Sequence, residues 1–70
     1  MIFFFEQRGR YMRCELTPLG DGSAELVVID PDGAQTREFL PHSADIPRRV
    51  AELSQTLHNA GWWGPVGRDI

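Results

Sequence analysis

The chain has 70 residues, a formal net charge of −3, and seven arginines with no lysine. That length fits one domain, of a size that buries only about 60% of the unfolded chain's surface, with a core that rarely supplies more than roughly 3–5 kcal/mol unaided. The single cysteine excludes an internal disulfide, and the acidic balance excludes a broad positive field for nucleic acid or anionic membrane.

The opening run Met-Ile-Phe-Phe-Phe-Glu is far shorter than a signal-peptide core or a membrane span and has no basic flank. A soluble, cytoplasmic protein with no membrane association is therefore expected. Ile2 to Glu6 are strand formers that do not alternate, so this strand carries large apolar groups on both faces. After a polar turn around Gly9, alternation returns from Tyr11 to Leu16. Met12, Cys14 and Leu16 share one face, and Tyr11, Arg13 and Glu15 the other. A lone thiol in that phase is expected to be a small buried hydrophobe, consistent with a reducing compartment.

Thr17 to Ser23 packs Pro, Gly and Asp together and reads as a loop that reverses around Asp21-Gly22. Ala24 to Ile29 has a Leu-Val-Val-Ile centre that is apolar on both faces, as in an interior strand. Asp30-Pro31-Asp32-Gly33 has the residues a type I turn asks for and predicts a hairpin into a fourth strand. That strand, Ala34 to Leu40, is polar except for Phe39 and Leu40, and reads as a solvent-facing edge.

The segment from Ser43 to Pro65 has helical spacing, with Ile46, Val50, Leu53, Leu57 and Ala60 on one stripe. Pro47 confines the N-terminal cap to Asp45 or Ile46. Asn59-Ala60-Gly61 supplies a glycine for the left-handed closing residue, with Trp62 beyond it and Leu57 as its expected apolar partner. Residues 66–70 are expected to form a loose tail. The prediction is a single α+β domain over residues 1–70: a four-stranded antiparallel meander followed by one C-terminal helix packed on one face.

One helix covers only one sheet face, so the second face is left apolar unless the Trp62-Trp63 segment or another subunit covers it. A homodimer, or a complex with another protein, is the expected outcome, with Phe3, Phe5, Trp62 and Trp63 as the partner contacts. No catalytic, metal or cofactor site is predicted. Cys14, His42 and His58 lie in different elements without ligand spacing, no local signature makes Cys14 a nucleophile, and Gly20 and Gly22 precede a strand rather than a helix.

These features point to a non-enzymatic interaction or assembly module using an apolar sheet face. The alternative is a weak single-stranded nucleic-acid binder, because Arg8, Arg10, Tyr11, Arg13 and Arg37 put cations beside an aromatic ring on hairpins and outer strand faces. Four strands followed by a helix also resembles, in outline alone, the small single-stranded-DNA-binding dimers of the Whirly type. Glu6, Glu15, Glu25 and Glu38 on the same strands instead predict a balanced, ion-paired surface.

Overall fold

The computed structural model describes residues 1–69. In chain order these form β1 (Ile2–Gln7), β2 (Arg10–Pro18), β3 (Ala24–Ile29), β4 (Gln35–Leu40), α1 (Asp45–Asn59) and β5 (Trp63–Asp69). The five strands make one antiparallel sheet in the order β4-β3-β2-β1-β5. The α+β class and the four-strand meander are as expected. The fifth strand corrects the sequence reading, since Trp63 to Asp69 pairs with β1 instead of trailing as a loose end; Ile70 lies outside the described residues.

Each reversal has a local cause. Arg8 and Gly9, with φ of 53° and 78°, form the two-residue β1–β2 loop. Positive φ at both central residues is the twist that suits a tight hairpin. At the β3–β4 turn the Gly33 N–H bonds to the Asp30 carbonyl at 2.9 Å, while the Asp30 carboxylate accepts the N–H groups of Asp32 and Ala34. The expected type I turn is present, and Gly33 at φ 92° returns the chain to the ladder. In the β2–β3 loop the Asp21 carboxylate accepts the hydroxyl and backbone N–H of Ser23. Those bonds hold its carboxyl below the usual range.

The helix begins one residue earlier than a cap at Asp45 would place it. Ala44 flanks it with no side-chain cap bond, and Asp45 stands in the first turn, where its charge complements the helix dipole. Pro47 is tolerated there because its missing N–H would have no intrahelical partner. At the other end, Gly61 (φ 91°) donates to the His58 carbonyl at 3.0 Å and Trp62 to the Leu57 carbonyl at 2.9 Å. These two bonds form a Schellman closure.

Helix α1 packs on the face that carries Phe3, Phe5, Cys14, Leu16, Leu26 and Leu40, all buried, and contributes Leu53 and Leu57 to that core. Ile46 and Val50 are half-buried against it, as is Trp62, whereas Ala60 is exposed. Arg49 adds an ion pair to Glu38 on β4, its single Nε–H shared between the two carboxylate oxygens at 2.8 and 3.0 Å. His58 links the helix to β5 by a hydrogen bond, its Nε2–H donating to the Gly64 carbonyl at 2.7 Å.

Candidate interaction surface

The opposite strand phase faces away from α1, and no other described segment lies over it. Pairing sets its residues in rows across the sheet. One row runs Gln35, Ile29, Arg13, Phe4, Val66, and the next runs Arg37, Val27, Glu15, Ile2. Tyr11, Glu6 and Trp63 form a third row beside the β1–β2 hairpin. Directly opposed residues share a face, with Cβ atoms about 5 Å apart, so these rows are sets of touching neighbours. Phe39, Trp63 and Tyr11 are 62%, 65% and 51% exposed, which spreads large aromatic rings over three strands. Val27, by contrast, is buried at only 5% exposed, although its phase puts it on this face.

The C-terminal segment therefore does not fold back over this face. It extends the sheet in its own plane, so the apolar surface is widened rather than covered. Gly64 makes this pairing possible: a Cβ there would lie 2.8 Å from the Phe4 carbonyl oxygen and 3.2 Å from the Phe5 Cα. Only glycine lets β5 approach β1 so closely.

The expected partner contacts divide between the two faces. Phe3 (3% exposed) and Phe5 (0%) are buried beneath the helix, which corrects their assignment as contacts; Phe4 is the phenylalanine of β1 on the open face. The unbroken Phe-Phe-Phe run gave no phase, but the hairpin register does, because Phe3 pairs with Cys14 and Phe5 with Met12. Trp62 is half-buried against the core, and Trp63 stands in the open row.

The cations proposed for nucleic acid are largely engaged by carboxylates. Arg13 Nε donates to Glu15 at 2.6 Å, Arg37 Nη1 to Glu25 at 2.9 Å, and Arg10 Nη2 to Asp32 at 3.2 Å. The Arg13 guanidinium lies 6.0 Å from the centre of the Phe4 ring, which Tyr11 meets edge-on at 6.4 Å. Tyr11 donates its hydroxyl to Glu6 Oε2 at 3.0 Å. That bond, and the charge of the same carboxylate, raise the phenol above its ordinary pKa. Arg8 stands apart on the hairpin tip.

Other chemistry finds little support. Among the described residues no three His, Cys, Asp or Glu side chains gather to hold a metal ion. Cys14 is fully buried, and burial pushes its thiol up to about 11, away from nucleophilic use. Two shallow apolar clefts flank Met1 on the helix side. One, of about 190 Å³, is lined by Leu16, Pro18, Ala24 and Ile46, and the other, of about 100 Å³, by Phe3, Val50 and Pro65. Both are smaller than the about 300 Å³ at which ligand pockets begin. No described helix is long and apolar enough to cross a membrane.

Comparison with known proteins yields no match: no family model, no curated protein and no solved structure is similar to this chain at a significant level.

Proposed function

We propose that this chain is a non-catalytic interaction module of a soluble, cytoplasmic protein, and that its open sheet face docks against the same face of a second copy. The observation that carries this reading is the open-face row of half-buried Ile29, Phe4 and Val66, with half-buried Ile2 beside it, bordered by the exposed rings of Phe39, Tyr11 and Trp63. Contiguous apolar surface of this kind marks interaction sites on small soluble proteins. Its charges favour a protein partner over a phosphate backbone. Arg13 and Arg37 are already matched by Glu15 and Glu25 within the face, so they can enter an interface as neutral pairs.

With strands about 4.8 Å apart and a rise of about 3.3 Å per residue, the face measures roughly 20 Å each way. That is roughly 400 Å² per copy, about 800 Å² in all, below the roughly 1,200 Å² of standard specific interfaces, so only weak association is expected, in the micromolar-to-millimolar range. Light scattering from about 10 micromolar to about 1 millimolar spans that range. A mass that rises toward the dimer, and persists in added salt as apolar contacts do, supports the reading; a monomer mass throughout contradicts it. Fluorescence anisotropy with labelled single strands at low salt tests the nucleic-acid alternative. Binding that weakens steeply with salt would favour that alternative.

A further inference from the structure

Among the described residues, two charges at the hairpin end of the sheet have no counter-charge. Glu15 and Glu25 each hold an arginine, but among the described residues Glu6 has no cationic partner. Its Oε2 accepts the Tyr11 hydroxyl, and Oε1 accepts no described hydrogen bond. Of the arginines whose side chains are described, Arg10, Arg13, Arg37, Arg48 and Arg49 all form ion pairs, and Arg8 forms none among the described residues. Arg8 is exposed at the tip of the hairpin whose strands carry Glu6 and Tyr11.

The surroundings of Glu6 suit a cation. Tyr11 lies directly opposite it on β2 and Trp63 directly opposite it on β5, so two exposed rings flank one carboxylate. A guanidinium placed there gains a counter-charge and an aromatic face together. The ring of Phe4 is already met by Arg13 and Tyr11, whereas Trp63 has no described ring or cation against it.

We propose that, in the dimer formed through the open face, Arg8 of one copy seats on Glu6 of the other between Tyr11 and Trp63, and that the contact is made twice. This assignment rests on the self-association proposed above. An isologous interface repeats every contact about its two-fold axis, so Arg8 and Glu6 of each copy can satisfy Glu6 and Arg8 of the other. A two-fold axis running along the strands brings the two hairpin tips together. Aligned sheets pack about 10 Å apart, a gap that an extended arginine can cross.

The test uses charge reversal on the full chain, with mass and association read by sedimentation equilibrium. Glu6→Arg leaves a chain with two cations at the seat, and Arg8→Glu leaves one with two anions. Each variant alone is expected to dimerise at least about tenfold more weakly than the parent, in line with measured couplings of interfacial charge pairs. An equimolar mixture is expected to recover a one-to-one complex within about threefold of the parent affinity, a recovery that misfolded variants could not show. If the parent dimerises but each variant alone matches it, or the mixture is no tighter than its components, the seat is overturned while self-association stands. A parent that stays monomeric overturns both.

Discussion

Trp62 donates its backbone N–H to the Leu57 carbonyl at 2.9 Å, and one residue later Trp63 lies opposite Glu6 in the sheet. Only Ala60, Gly61 and Trp62 therefore separate the end of the helix from the start of the fifth strand. The two neighbouring tryptophans are sent to different places: Trp62 against the core, Trp63 onto the open face.

The glycines around this junction should differ in how much they tolerate. A Cβ at Gly61 meets only the end of the flexible Gln7 side chain, 2.6 Å away, so Gly61→Ala should cost mainly its positive φ, about 1 kcal/mol. At Gly64 the same atom meets the Phe4 carbonyl and the Phe5 backbone, and Gly64→Ala should cost about 2–3 kcal/mol by displacing β5. Urea unfolding of both variants checks the order. Equal losses would mean that β5 is not held close to β1.

Arg8 is the one non-glycine residue with positive φ among those described. Arg8→Asn relieves that strain in a turn where asparagine before glycine is favoured, and should stabilise the monomer by about 0.5 kcal/mol. The same change removes the cation assigned to Glu6 of the partner copy. Thermal unfolding at low concentration should rise while self-association weakens, and movement of both in the same direction would contradict that separation of roles.

Cys14 predicts a pH dependence whose sign is fixed. An unfolded thiol ionises near 9.0, whereas burial holds the folded one up to about 11. Between those values the unfolded state gives up a proton that the native state keeps, so stability falls as pH rises from about 9 to about 11. The loss is at most on the order of 3 kcal/mol. Tyr11, raised by its bond to Glu6 and by the carboxylate's charge, contributes with the same sign at higher pH. Denaturant midpoints for the parent and Cys14→Ala across this range isolate the thiol, and parallel curves would show that it does not titrate this way.

Arg49 and Glu38 tie α1 to the sheet edge through a half-exposed ion pair. A double-mutant cycle with alanine at each position should give a coupling of about 0.5–1 kcal/mol, screened by salt. A coupling of zero would leave helix placement to its apolar stripe and the His58 bond to Gly64.

Much of this fold was legible because local chemistry and final structure agree. The Asp30 to Gly33 turn, the alternation of Met12, Cys14 and Leu16, and the closure at Gly61 each follow from residues within a few positions. The fifth strand was not legible. Gly64, Pro65 and Gly67 have poor strand propensity, and their pairing depends on a close approach to β1 that only the assembled sheet reveals. The candidate surface was half legible. An uncovered apolar face followed from counting helices against sheet faces, but the Phe-Phe-Phe run could not say which ring it held. A two-residue loop at Arg8-Gly9, had it been assumed, would have set Phe3 and Phe5 beside Cys14 and Met12 and left Phe4 outside.

The most direct test is an amide chemical-shift dilution series on the isotope-labelled chain from about 1 millimolar to about 10 micromolar, a span that brackets the expected affinity. Concentration-dependent shifts should gather at Phe4, Glu6, Tyr11, Ile29 and Trp63, and leave Arg48, Glu52 and Gln55 on the outer helix face unmoved. Shifts confined to the helix, or none at all, would contradict the assignment of the open sheet face as the interaction surface.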